Sequence, residues 1–214
     1  MPLRNLISGF AGSDLLYRIP ALLIALTFHE VAHGYIAYKL GDPTAKQSGR
    51  LSLNPLRHID PLGLLALLLV GFGWAKPVPV NPLYFRGDRR YGLFWVSLAG
   101  PLANFLLAFA AALLFVLLPV KSFVYLNFLQ MLIIYNVFLG VFNLLPIPPL
   151  DGSKVLLYLL PARAAYSFSR LEKYGPPILL LLIFSGITGR ILYPAATAVI
   201  NAILSFAVFI KNFF

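Results

Sequence analysis

The chain has 214 residues, of which 60% are hydrophobic and only 11% charged. Its mean hydropathy is +0.84. Soluble domains carry about 25% charged and about 45–50% apolar residues, so lipid is the expected solvent for much of the surface. The net charge of +10 comes from Lys and Arg lying between apolar runs. They do not form the dense stripe a nucleic-acid interface needs, and basic loops facing anionic lipid are the better reading. There is no cysteine, which excludes disulfides and thiolate metal ligands.

Met1 to Asp14 lacks a small-residue cleavage site and is expected to be retained on the membrane surface. The first helix is predicted from Leu15 to Leu40, ended by Gly41-Asp42-Pro43. Thr44 to Asp60 reads as a polar, basic loop, with alternation at Gly49 to Leu53 suggesting a short strand. Pro61 to Ala75 is apolar, but fifteen helical residues reach only about 22 Å against a hydrocarbon core of about 30 Å. A re-entrant or half-depth hairpin is expected there, covered by protein or lining a polar cavity.

Residues 76–81 carry prolines that remove amide donors, which suggests an edge strand. Tyr91 to Leu118 and Phe123 to Leu145 read as two spans joined by Pro119 and Lys121, the second broken by Pro146, Pro148 and Pro149. Ser153 to Lys173 suggests a short interfacial helix and a loop. Ile178 to Ile187 and Ile191 to Ile210 suggest a hairpin or a broken span. The expected fold is an all-α polytopic membrane protein. It has five to six transmembrane or half-membrane segments and short strands in the cytoplasmic-side loops. Residues 1–214 form one domain, with a core at 15–161 and C-terminal helices at 174–211.

The basic loops 39–58, 76–90 and 154–173 all fall on one side of this topology. Lys121 and Arg190 are expected on the other, which makes the first side cytoplasmic.

His29-Glu30-Val31-Ala32-His33 is an H-E-x-x-H motif. Residues i and i+4 share a helix face, so both imidazoles can reach one Zn²⁺, with Glu30 beside the water that the metal acidifies. Three ionisable side chains within five residues of an apolar helix cost a few kcal/mol each on insertion scales, about the cost a metal offsets. The alternative is a helix end where polar groups meet water.

Catalytic zinc takes three protein ligands and keeps one open position. Candidates for the third are His58, Asp14, Asp42, Asp60, Asp88 and Asp151. Asp42, Asp60 and Asp88 sit in loops where aspartate serves turns. His58 reads as a solvated or loop-bonding histidine. Asp151 follows a proline-broken span and precedes glycine, so irregular backbone falls at membrane depth. Its alternative role is capping a helix that starts near Ser153.

The segments His29 to Gly34, Ala99-Gly100-Pro101-Leu102-Ala103-Asn104 and Asn143-Leu144-Leu145-Pro146-Ile147-Pro148-Pro149-Leu150-Asp151-Gly152 occur in an order and spacing that resemble the site-2 protease family of intramembrane zinc metalloproteases. His58 to Gly63 is similar too and reads as structural. The chain is similar to the minimal branch, with no room for PDZ or CBS domains.

The resemblance implies that Asp151 is the third ligand. It also implies that Asn143 holds the substrate backbone or the developing oxyanion, alongside a helix-to-helix hydrogen bond. Gly100, Ala103 and Asn104 are expected to permit close helix packing. Ser153-Lys154 departs from the small-then-Arg pair common in the family, with effects on local packing.

The implied activity is hydrolysis of peptide bonds in or near transmembrane segments of membrane proteins, with Glu30 activating water. The substrate must unwind, and pairing with the edge at 76–81 or 49–53 would hold it extended. The partners are transmembrane substrates and the bilayer, without nucleic acid. The expected location is a prokaryotic cell (inner) membrane, with the active site about 12 Å from the cytoplasmic end of the first helix. The rival readings are a metal-binding or metal-transport protein and an inactive relative that binds membrane helices.

Overall fold

The computed structural model describes residues 15–70 and 73–213. The expectation for Met1 to Asp14 lies outside them, as does Asp14 as a candidate ligand. Helix α1 spans Leu15–Lys39 and α2 is the single turn Thr44–Gln47. Helices α3, Pro61–Val70, and α4, Arg89–Leu117, follow. Next come α5, Phe123–Asn143, α6, Asp151–Leu159, and α7, Ala162–Ser169. The chain ends in α8, Gly175–Phe184, and α9, Ile187–Lys211.

Four of these, α1, α4, α5 and α9, are long and apolar enough to cross a membrane. The shortest has 21 residues, or about 31 Å of helix, which matches a hydrocarbon core of about 30 Å. Helices α3 and α8 have 10 residues each, about 15 Å; α3 falls where the half-depth hairpin was read from the sequence, and α8 with α9 where a hairpin or broken span was read. The protein is an all-helical polytopic membrane protein.

The site is positioned by α1, α4 and α5, which pack against one another, with α9 against α4 and α5. Lipid tails are as apolar as leucine, so helices associate in a membrane through close van der Waals contact, and small residues allow it. The shared core follows that rule: Ala21, Ala108, Ala111, Ala112, Ala196 and Ala207 are buried together, with Leu129, Leu132, Ile133 and Val137 of α5 filling the space between. Gly140 of α5 completes the α4 contact, where an added Cβ would meet the Phe105 ring at 2.8 Å.

The half-depth hairpin is closed by an isolated antiparallel bridge between Ile59 and Ala75 and by the Lys76 N–H on the His58 carbonyl at 2.9 Å. Gly63 is required at its neck, because a Cβ there would lie 2.0 Å from the Trp74 carbonyl oxygen. Residues 49–53 and 76–81 are not strands, contrary to the alternation read in the sequence. The cause is visible in their partners. Pro77 and Pro79 offer no amide, Arg50 donates to the Lys76 carbonyl at 2.6 Å, and the Val78 N–H is taken by a side chain of α1. The segment is bonded to side chains instead of to a neighbouring strand.

Asp42 ties this layer together. Fully buried just past α1, its carboxylate accepts from the Thr44 N–H and hydroxyl and from the Asn81 N–H. At the other end of the loop layer, Asp88 caps α4 by accepting from the Arg90 and Tyr91 amides.

The last helix corrects the sequence reading of Arg190. Tyr193 lies beside Phe138 near the end of α5, whereas Phe206 stacks on Phe109, with ring centroids 6.4 and 5.6 Å apart. Helix α9 therefore runs parallel to α4. Arg190 joins the basic loops, and Lys211 joins Lys121 at the opposite end. Gly186, with φ of 75°, makes the turn out of α8 that this direction needs.

Because the chain has no cysteine, single introduced cysteines report sidedness directly. In oriented vesicles, Arg190→Cys should react with an impermeant maleimide from the same side as Arg163→Cys, and Lys211→Cys from the other. Labelling of Arg190→Cys with Lys211→Cys would contradict the direction of α9.

Candidate active site

His29 and His33 lie one turn apart on α1, both buried, with their rings nearly perpendicular at 88°. Each ring is anchored through Nδ1. His33 Nδ1 donates to the Val96 carbonyl of α4 at 2.6 Å, and His29 Nδ1 donates to Asn104 Oδ1 of the same helix at 2.7 Å. With the proton on Nδ1, each Nε2 carries a lone pair. The two Nε2 atoms are 3.0 Å apart, so neither can donate to the other.

Asp151 supplies the third atom. Its Oδ2 is 3.3 Å from His29 Nε2 and 3.1 Å from His33 Nε2, is buried, and has no hydrogen-bond partner among the described residues.

Three acceptor atoms thus form a triangle with edges of 3.0 to 3.3 Å. Ligands about 2.0–2.1 Å from a tetrahedral zinc are about 3.3–3.4 Å apart, so the donor set fits the ion in identity, count and size. Among the described residues this is the one group of three His, Cys, Asp or Glu side chains close enough to share a metal.

The loop of residues 144–150 delivers Asp151. Helix α6 begins at Asp151 itself, with Leu150 as its cap residue and no side-chain cap, so the aspartate does not serve as an N-cap. Gly152 is packed so tightly that a Cβ would lie 2.2 Å from the Leu144 carbonyl oxygen. Gly175, at the start of α8, presses on the same loop, 2.6 Å from the Pro148 carbonyl by the same measure. Arg90 donates to the Leu157 and Leu160 carbonyls and holds the far end of α6 to the start of α4.

Glu30 and Asn143 face the cavity beside this triangle. The cavity has a volume of about 320 Å³, and its wall also includes Pro77, Val78, Ser97 and Lys154. Glu30 Oε2 accepts the Val78 N–H at 2.8 Å, which leaves Oε1 without a donor among the described residues. Asn143 Nδ2 donates to the Leu139 carbonyl one turn back at 3.0 Å, which leaves its second N–H to spend.

The remaining ligand candidates are elsewhere. His58 Nε2 donates to its own loop at the Ser52 carbonyl, 2.8 Å away. Asp60 receives the Leu62 and Gly63 amides at the start of α3, and Asp42 and Asp88 have the loop and cap roles given above.

Two residues have more direct roles than packing. Gly100 does give close approach, but to the imidazoles themselves: an added Cβ would lie 2.4 Å from His33 Nε2 and 2.6 Å from His29 Cε1. Asn104 is fully buried and bonds His29, the Ala25 carbonyl and Asn136. The sequence signal for both asparagines was a carboxamide inside an apolar span, which needs partners.

Gly100→Ala should therefore displace one imidazole and lower the bound-metal stoichiometry of purified protein well below one ion per chain, while the helical far-ultraviolet signal is kept. Full metal content measured by atomic absorption would show that α4 does not press on the rings.

The profile of peptidase family M50 matches residues 119–186. YwhC of Bacillus subtilis, a protein named as a zinc metalloprotease, is 40% identical over 196 residues, covering 88% of this chain and 89% of its own length. Rip2 of Mycolicibacterium smegmatis, likewise named as a zinc metalloprotease, is 30% identical over 187 residues, covering 80% of this chain and 68% of its own. The zinc metalloprotease MJ0392 of Methanocaldococcus jannaschii is 27% identical over 173 residues, 78% of this chain and 41% of its own. No solved structure matches the chain. With near full-length similarity to the first of these relatives, the chain belongs to the M50, or site-2 protease, family of zinc metalloproteases.

Proposed function

We propose that this metalloprotease hydrolyses peptide bonds in or near transmembrane segments of other membrane proteins, with His29, His33 and Asp151 holding Zn²⁺ and Glu30 acting as general base. The observation that carries the reading is the triangle of unprotonated Nε2, Nε2 and Oδ2 atoms opening on a cavity that Glu30 and Asn143 line. It lies within a set of helices apolar enough to cross a membrane. Residues 1–214 act in this reading as one protease domain, a core at 15–161 followed by C-terminal helices at 174–211.

Zinc, when bound, acts as a Lewis acid that polarises the scissile carbonyl and brings the pKa of a water molecule near 7. The rest falls to the chain. Glu30 Oε1 takes the proton of the attacking water while Oε2 stays on the Val78 amide, and the same carboxyl returns the proton to the leaving amine. The second N–H of Asn143 donates to the substrate backbone or to the oxyanion as it forms.

A transmembrane substrate must be unwound at its cleavage site, because a helix commits its carbonyls to internal bonds. Of the two segments expected to hold it extended, 76–81 is favoured, since Pro77, Val78 and Val80 line the cavity and residues 49–53 do not. Pro77 and Pro79 offer carbonyls only, so substrate amides are the donors to them. The basic loops, now with Arg190, share the end of the bundle nearer the site, with Arg18, Lys121 and Lys211 at the other. The positive-inside rule therefore supports an active site toward the cytoplasmic side of a cell (inner) membrane.

Glu30→Gln separates this from a metal transporter or a helix-binding relative without activity. In detergent micelles, with a zinc-loaded enzyme and a model single-span substrate, Glu30→Gln should keep its zinc and lose cleavage by at least about 100-fold. A zinc chelator should abolish wild-type cleavage, and added zinc should restore it. Cleavage that survives either treatment would refute the mechanism, and metal flux retained by Glu30→Gln in vesicles would favour transport.

A further inference from the structure

We infer that Asn136, which lies in none of the motifs and does not line the cavity, sets the metal-ligating tautomer of His29 through Asn104. The inference rests on the proposal that His29 is a zinc ligand.

The argument follows one chain of hydrogen bonds across three helices. Asn136 is fully buried in α5. Its Nδ2 donates to the Leu132 carbonyl of its own helix at 2.8 Å, so its Oδ1 is the atom turned to α4. There it accepts from Asn104 Nδ2 at 2.8 Å. Asn104, also fully buried, spends its other N–H on the Ala25 carbonyl of α1 at 3.0 Å. Both of its protons are then committed to acceptors, and its Oδ1 is left to receive the His29 Nδ1–H at 2.7 Å. The result at the ring is a proton on Nδ1 and a lone pair on Nε2.

Direction matters because a carboxamide is nearly symmetric in shape. A half-turn about its last torsion exchanges an acceptor for two donors at almost no steric cost. Turned round, Asn104 would donate to His29 Nδ1, and the ring proton would move to Nε2, which could not then bind zinc. Two acceptors oppose that turn: the Ala25 carbonyl and Asn136 Oδ1. Asn136 is in turn held by the Leu132 carbonyl, a backbone group that cannot reverse.

His33 has no such dependence, since its Nδ1 rests directly on the Val96 carbonyl. The two ligating histidines are therefore fixed by different devices, one of them reversible. Within an apolar bundle little water is available to replace a lost partner, so the polarity of the chain is set by protein groups.

The test uses the full-length protein in micelles, with ring-¹⁵N-labelled histidine read by NMR in the metal-free state and zinc affinity read by competition with a chromophoric chelator. In the wild type, His29 should be the Nδ1–H tautomer. Asn136→Leu removes an acceptor and should populate the Nε2–H tautomer of His29 alone, weakening zinc by about 10–100-fold. Asn136→Asp, protonated when buried, presents a carbonyl oxygen to Asn104 and an O–H to Leu132. It should keep the wild-type tautomer and bind zinc within about threefold of wild type, a smaller change than loss of an outer partner gives.

An Nε2–H tautomer at His29 in the wild type would overturn the inference without any variant. So would wild-type zinc affinity in Asn136→Leu, or, where leucine does not fold, in Asn136→Ala. Equal loss in Asn136→Asp and Asn136→Leu would also overturn it, because the polarity of the side chain would not be what matters. His29→Ala distinguishes the two levels: zinc lost there but kept in Asn136→Leu refutes only this inference, whereas zinc kept in His29→Ala refutes the ligand set beneath it.

Discussion

Two imidazole lone pairs and a carboxylate oxygen, all within 3.3 Å of one another and shielded from water, repel unless a cation lies among them. The rest of the structure can be read as the means of holding that arrangement. Each imidazole has its far nitrogen pinned by an oxygen of α4, so neither ring can turn away. The carboxylate stands at the first residue of α6, fixed from behind by Gly152 against the Leu144 carbonyl and at the far end of the helix by Arg90. A bound zinc would turn the repulsion into the strongest local attraction in the bundle.

The packing shows how little the helices rely on bulky side chains near the site. Alanines line the α1, α4 and α9 contacts, and glycine is placed where α4 meets the imidazoles. Close backbone approach brings the Val96 carbonyl within reach of a ring on another helix. In lipid, small residues and buried carboxamides are the available means of specific contact. The layer of loops at one end is organised by different physics: a buried Asp42 accepting three hydrogen bonds, and an extended Pro-Val-Pro segment whose one amide is spent on Glu30.

The candidate metal-holding group of His29, His33 and Asp151 was legible in the sequence because its spacing is local or its surroundings are unusual. Histidines four residues apart share a helix face, and Asp151 stands out by following a broken span. Three of the four long helices were legible from apolar length, and the short Pro61–Val70 element from being too short to cross, whereas Ile187–Lys211 was read only as part of a hairpin or broken span. What was not legible depended on contacts between distant elements. Alternation at 49–53 resembled a strand, but a strand needs a partner ladder, and Arg50 and Glu30 take the relevant groups. Arg190 was assigned to the wrong end because the direction of α9 is set by which aromatic rings it meets on α4 and α5. Asn104 was visible as a motif residue, yet its bond to His29 depends on the register between α1 and α4. Asn136 carried only the weak signal of a polar group in an apolar run.

Anomalous scattering at the zinc edge, from crystals of the zinc-loaded protein, bears most directly on the central claim. It should give one peak per chain, about 2.0–2.2 Å from His29 Nε2, His33 Nε2 and an Asp151 carboxylate oxygen, with a fourth position open to the cavity. A peak elsewhere, or one whose coordination is completed without Asp151, would contradict the account.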